Sequence, residues 1–215
     1  MRNSDIKKTI QIIRNYFTRV LTDKLFGRFL DDLSPGGIAI DCGANVGDIS
    51  EKMAKTGVRV YAFEPNPHAF QKLKKRLENF ENVTCINKGV WDRNTTRQLY
   101  LHKEASKNEE FWSFASSIIK EKANVDPGHS IEIQLVDLCE FIENLDQPVD
   151  LLKMDIEGAE YEILEKFLEK YLQHKVKMTL VETHDSKIKG LKEKSSRIRK
   201  IIKNKGITNV RLSWL

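Results

Sequence analysis

From residue 38 onwards, short apolar runs alternate with longer stretches in which apolar side chains recur every three or four positions. Ile38-Ala39-Ile40 is an uninterrupted apolar run of the kind expected in a strand buried on both faces. Val58–Phe63, Val83–Ile86, Leu151–Met154 and Val176–Val181 repeat that pattern, and Thr208–Trp214 closes the chain as a last strand. Between the strands the period becomes helical. Helices are predicted over Ile49–Lys55 behind an Asp48 cap, and from Pro67 with Phe70, Leu73 and Leu77 on the apolar face. Others follow over Asp137–Glu143 and over Ala159–Leu172, which carries Ile163, Leu164, Phe167 and Tyr171. A final amphipathic helix through Ile188, Leu191, Ile198, Ile201 and Ile202 stops at Gly206. Ahead of the first strand, Ser4–Leu33 has helical spacing from Ile6 to Leu33, and Ser34-Pro35-Gly36-Gly37 breaks it.

Strand–helix alternation over most of the chain predicts an α/β domain: a Rossmann-like, mostly parallel sheet with helices on both faces. The chain then divides into an N-terminal helical extension, residues 1–37, packed on a domain spanning residues 38–215. The section between Trp91 and Ile133 is less regular. Leu99–Leu101 and Ile131–Leu135 read as strands antiparallel to each other, bracketing a loop that holds Trp112, Phe114, Ser116 and Ser117.

Composition agrees with a folded domain of this size. Of 215 residues, 40% are apolar and 31% charged, which excludes disordered, collagen-like and disulfide-scaffold classes. Cys42, Cys85 and Cys139 are scattered with no CxxC pair, as expected of buried thiols in a reducing compartment. No apolar run approaches the roughly 20 residues of a membrane helix. Met1–Lys8 is polar and lacks a signal-peptide core, so the expected location is cytoplasmic.

In parallel sheets, ligands sit at the carboxyl ends of the strands. The first strand ends in Asp41-Cys42-Gly43-Ala44-Asn45-Val46-Gly47, a turn whose glycines let a ligand approach the backbone. Glu64 closes the second strand 21 residues after Gly43, where an acid can accept both hydroxyl hydrogens of a ribose. That pairing predicts an adenosine-containing cofactor. The dinucleotide fingerprint has a glycine where this turn has Asn45, which disfavours NAD. Asp41, ahead of the first glycine, suits instead the ammonium of an amino-acid-bearing ligand, S-adenosylmethionine.

The sequence resembles the FkbM family of S-adenosylmethionine-dependent methyltransferases, within the class I methyltransferase fold. The resemblance rests on Ile40 to Gly47, Val60 to Pro67, Asn87 to Asp92, Ser116-Ser117-Ile118 and Val136-Asp137-Leu138. Above all it rests on Asp150-Leu151-Leu152-Lys153-Met154-Asp155-Ile156-Glu157-Gly158-Ala159-Glu160. It implies that Asp41, Gly43, Asn45 and Gly47 line the methionine part of the cofactor, with Asp155 beside it, and that Glu64 holds the ribose. Asn66 and the Asn87–Val90 turn, including Gly89 and Val90, fall by the adenine. Asn66, between two prolines, reads equally as a turn residue. The implied activity is methylation of a hydroxyl oxygen on a sugar, glycolipid or polyketide.

Such a hydroxyl needs a general base or a metal ion. Asp155, Glu157 and Glu160 follow the fourth parallel strand; Glu182, His184 and Asp185 follow the fifth. Asp155, Glu182, His184 and Lys153 are the candidate catalytic residues, with His184 suited to take a proton near neutrality. Glu157 and Glu160 also read as first-turn acids favouring a helix N-terminus. Asp155, Glu182 and His184 are alternatively a ligand set for magnesium or manganese, although Thr183 interrupts the double acid that metal-dependent relatives of this class carry. Lys153 shares a strand face with Asp155 and either pairs with an acid or meets an anionic substrate. Trp112, Ser116, Ser117 and Glu157 are the candidate acceptor contacts.

The helix from Lys187 to Lys205 holds nine basic residues against Glu193, within a net charge of +5. Its apolar stripe predicts docking on the sheet with the charges solvated; attraction to an anionic partner is the other reading. The expected acceptor is a carbohydrate or glycoconjugate. No DNA partner is expected, and RNA is disfavoured because no aromatic platform is interleaved with the basic residues. A non-catalytic domain of the same fold is the remaining alternative. Only one strand follows the basic helix, where the class usually ends in an antiparallel pair. That leaves open a homodimer formed along this edge or a longer multidomain chain.

Overall fold

The computed structural model describes residues 26–102, 116–119, 125–184, 188 and 190–212. The strands are β1 (Ile38–Cys42), β2 (Arg59–Phe63), β3 (Val83–Ile86), β4 (Gly89–Trp91), β5 (Thr95–His102), β6 (Val125–Asp137), β7 (Val149–Met154), β8 (Val176–Val181) and β9 (Val210–Leu212). The helices are α1 (Asp48–Ala54), α2 (Pro67–Arg76), α3 (Leu138–Glu143), α4 (Glu160–Glu169) and α5 (Leu191–Asn204). Six strands form one sheet in the order β3-β2-β1-β7-β8-β9, and every neighbouring pair is parallel. The chain builds outwards from β1 to β3, then returns to lay β7, β8 and β9 on the other side. The switch point therefore lies between β1 and β7, and the ligand crevice of an open α/β sheet falls there.

All five residues of β1 are buried, so its apolar run faces helices on both sides. Ile38, Ile40 and Cys42 pack with α3, α4 and α5 through Leu138, Ile142, Ile163, Phe167 and Ile198. Ala39, on the opposite face, packs with Met53 of α1 and Leu73 of α2. Phe26, fully buried, joins that second layer from a helical segment at 26–31, the described end of the predicted N-terminal helix. Residues 1–25 of that helix lie outside the described residues.

A second sheet, β4-β6-β5, stands beside the first. Its β5–β6 pair is antiparallel as predicted, but both strands run well past the apolar cores Leu99–Leu101 and Ile131–Leu135. Their extra residues are mostly polar and half-exposed, so the pairing is carried by backbone hydrogen bonds that leave no hydrophobic trace.

One local expectation changes. Helix α1 has Gly47 in the capping position at φ 92° with no side-chain cap, and Asp48 pairs with Arg76 instead. The last strand, β9, lies parallel on β8 at the sheet edge. Helix α5 docks as predicted from its stripe: Ile198 is fully buried, while Lys194 and Arg197 pair with Glu162 and Glu165 of α4. Among the described residues no helix is long and apolar enough to cross a membrane.

Candidate active site

Alternation along β1 puts Asp41 on the Ala39 face, under α1, and not towards the crevice. Asp41 is fully buried; it accepts a 2.7 Å hydrogen bond from Ser50 Oγ of α1 and pairs at 3.0 Å with Lys153 Nζ, its register partner on β7. Lys153 Nζ also donates to the Gly43 carbonyl at 2.9 Å and lies 4.0 Å from Asp155 Oδ2. Burial pulls its ammonium down, but the Asp41 and Asp155 carboxylates outweigh that and hold it above the usual lysine range. Lys153 thus follows the acid-pairing alternative, and Asp41 sits beneath the turn, outside the pocket lining. The two charges satisfy each other beneath the turn and hold it in place.

Above them the turn is drawn tight. Gly43 and Ala44 donate backbone hydrogen bonds of 3.0 and 2.9 Å to Phe63 O. Gly43 has φ +77°, and a Cβ there would fall 1.9 Å from the Asp155 carbonyl, so only glycine fits. Gly47 caps α1 against Leu73 and does not line the crevice.

A pocket of about 280 Å³ opens over this turn. One end is formed by Gly43, Asn45, Glu64, Pro65, Asn66, Gly89 and Val90, the other by Asp155, Ile156, Glu157 and Glu182. Leu99, Ser116, Ile118, Ile133 and Leu135 close it from the side of the second sheet. Those apolar walls were not among the sequence candidates. The shared strand face of Ile133 and Leu135 was the signal available for them.

Glu64 accepts 2.8 Å hydrogen bonds from the Asn45 and Asn66 backbone N–H groups, one on each carboxylate oxygen. Burial pushes its pKa up to about 7 against the pull of those two donors and of Lys153. Asn66 has both roles weighed for it: its side chain accepts from His68 N–H as the cap of α2, and it lines the pocket. Asn45 sits at φ 50°, a left-handed conformation uncommon outside glycine. Asn45 Oδ1 and Ser116 Oγ are buried without a hydrogen-bond partner among the described residues. Both residues line the pocket, so a polar ligand there would satisfy two orphaned atoms.

At the other end, β7 and β8 bring their carboxyl termini together as neighbouring parallel strands. His184, 1% exposed, lies with Nδ1 3.1 Å from Glu160 Oε1. Its Nε2 is 3.1 Å from Glu157 Oε2, 3.8 Å from Asp155 Oδ1 and 3.9 Å from Glu182 Oε1. Burial pulls the imidazole pKa down, but Glu160, Glu157 and Asp155 outweigh it and raise it above the ordinary histidine value. Glu160 Oε1 also accepts 3.2 Å bonds from Ile156 and Gly158 N–H, so this fully buried acid organises the loop as well as the ring. That role goes beyond a first-turn acid.

Glu157 stands at φ 59°, and its carbonyl accepts from Ser117 Oγ at 2.7 Å. Ser117 is therefore a tie between loops, 1% exposed and outside the pocket lining. Ser116 does face the pocket; Trp112 lies outside the described residues. Of the predicted metal set, Asp155 and His184 come together with Glu157 as a third residue, their ligand atoms all within 4.8 Å of one another, while Glu182 Oε1 stands 3.9 Å from His184 Nε2.

The parallel sheet with its switch-point pocket, and the acid closing β2, define the class I methyltransferase type of α/β domain. A family profile described as Methyltransferase FkbM domain matches residues 41–207, and the chain belongs to that family. It is 24% identical over 192 residues to 31-O-demethyl-FK506 methyltransferase FkbM of Streptomyces tacrolimicus, covering 79% of this chain and 74% of that protein. It is 32% identical over 77 residues to ribosomal RNA small subunit methyltransferase A of Bacillus cytotoxicus, 35% of this chain and 26% of that protein. The chain thus spans about a quarter of the length of that relative. Among solved structures, an rRNA methylase from Streptococcus thermophilus superposes with a TM-score of 0.43 at 14% identity, covering 81% of this chain and 74% of that one.

Proposed function

We propose that the protein transfers the methyl group of S-adenosylmethionine to a hydroxyl oxygen of a sugar or glycoconjugate. The observation that carries this reading is a single pocket with a ribose-type acid at one end and a carboxylate–imidazole cluster at the other. When bound, S-adenosylmethionine supplies a methyl group already activated on a sulfonium. The protein's task is then to align the acceptor oxygen in line with it and to take up the hydroxyl proton.

Glu64 accepts the two ribose hydroxyls on its remaining lone pairs. Asn66, Gly89 and Val90 border the base, and Gly43 and Asn45 let the amino-acid part run along the backbone. Asp155, Glu157, Glu182 and His184 lie where the acceptor hydroxyl enters, and their charge favours an approaching cation and accepts the released proton. The name of the Streptomyces relative, which spans most of both chains, specifies an oxygen acceptor and supports that choice of atom. RNA is the weaker acceptor. The ribosomal RNA relative aligns over a quarter of its length, and two bases of α5 are spent on acids of α4.

The test is incubation with methyl-labelled S-adenosylmethionine and three acceptor pools: nucleotide sugars, glycolipid extract and total RNA. Label in a glycan fraction, recovered as a methyl ether and lost with Glu64→Ala, is the expected result. Label confined to RNA would replace the carbohydrate acceptor with RNA.

A further inference from the structure

We propose that the acidic end of the pocket is a divalent-cation site, with Asp155, Glu157 and His184 as its protein ligands and manganese as the best-suited ion. The ring of His184 makes the case. Its Nδ1 faces Glu160 Oε1, an atom that already accepts two backbone N–H bonds, so Nδ1 carries the proton there. In the neutral ring the Nε2 lone pair then points at two carboxylates, at 3.1 and 3.8 Å. That contact is repulsive unless a positive charge lies between them, either a second ring proton donated to Glu157 or a metal ion. Nε2 is buried, on a residue 1% exposed, and has no hydrogen-bond partner among the described residues. Lys153 does not supply the charge, since its ammonium is held by Asp41 and the Gly43 carbonyl.

The spacing suits an ion. Ligand atoms about 2.1 Å from a metal stand about 3.0 Å apart in an octahedral site and about 3.4 Å apart in a tetrahedral one. The Nε2–Glu157 separation of 3.1 Å already falls in that range, and all three ligand atoms lie within 4.8 Å of one another. Glu160 supplies the outer support that a ligating histidine needs, a carboxylate on its other ring nitrogen that sets tautomer and orientation. One imidazole and two carboxylates form a donor set between the hard oxygen sites of magnesium and the nitrogen-rich sites of zinc, which favours manganese. Glu157 is held at φ 59° by the Ser117 tie, and that places its carboxylate opposite the ring.

Asp155 and Glu157 also line the pocket, so the ion's open positions would face the acceptor hydroxyl and acidify it. This consequence rests on the methyl-transfer reading above; occupancy of the site does not.

The experiment is titration of the EDTA-treated full chain with manganese chloride, following loss of the free-ion electron paramagnetic resonance signal. S-adenosylhomocysteine binding is measured in parallel in EDTA. One ion per chain is expected, weakened more than tenfold by His184→Gln and by Glu157→Gln, and by about 10–100-fold by Glu160→Gln. Lys192→Ala, on the exposed face of α5, leaves it unchanged. If His184→Gln loses its cooperative melting transition, the Glu157 variant carries the test. No manganese binding up to millimolar concentration overturns the site, as does binding that survives both ligand substitutions, which would place the ion on surface acids. S-adenosylhomocysteine binding by a chain that ignores manganese would sink the metal site and leave the methyltransferase reading standing. Manganese binding without S-adenosylhomocysteine binding would do the reverse.

Discussion

Lys153→Met removes one partner of a buried ion pair while keeping the volume of the side chain. Asp41 is fully buried and Lys153 is 5% exposed, so water is not at hand to solvate the carboxylate left behind. Breaking such a pair costs about 3–5 kcal/mol, because the remaining charge is uncompensated. That is a large part of the roughly 5–15 kcal/mol that holds a domain folded. At about 2–4 °C per kcal/mol for a chain of this size, the melting temperature should fall by roughly 6–20 °C. The Asp41→Asn/Lys153→Met double variant should recover more than half of the loss, because it leaves no buried charge. Urea denaturation of the wild type, the two single variants and the double variant, followed by circular dichroism, gives the coupling directly. Additive single effects, or a Lys153→Met loss below about 1 kcal/mol, would show that the pair does not hold the turn.

Three further outcomes follow from the same geometry. The ribose-holding role proposed for Glu64 requires its ionised form, and burial pushes its pKa up to about 7, so protonation would compete with the ligand below that pH. S-adenosylhomocysteine affinity measured by calorimetry should therefore rise about tenfold between roughly pH 6 and pH 8, and a flat profile would contradict the role. Gly43→Ala places a methyl group against the Asp155 carbonyl at a positive φ and should destabilise by about 2–4 kcal/mol in chemical denaturation while abolishing ligand binding. Glu157→Gly removes the carboxylate that faces the buried His184 ring at 3.1 Å, and transfer to any acceptor should be lost. Retained transfer in that variant would remove Glu157 from the site.

The strands legible in the sequence were those with an apolar run closed by a turn residue. Val83–Ile86 and Val176–Val181 match β3 and β8 end to end. The lengths of β5 and β6 were hidden because their outer halves are polar and take their order from cross-strand hydrogen bonds. Glu64 and Gly43 could be placed from local spacing alone. Asp41 could not, since its direction depends on which face of β1 meets α1 and on a register partner 112 residues away. The support that Glu160 gives His184 is equally non-local, joining the start of α4 to the end of β8. Glu157 was the least readable: Gly158 beside it is the residue expected to take a positive φ, yet both do.

The central claim is that the pocket between Glu64 and the acidic cluster holds S-adenosylmethionine. Calorimetric titration of the wild-type chain and the Glu64→Ala variant with S-adenosylhomocysteine, in EDTA near pH 8, tests it most directly. One binding site per chain, weakened by at least tenfold in the variant, is the predicted result. No heat from the wild-type chain, or equal affinity in the two, would contradict it.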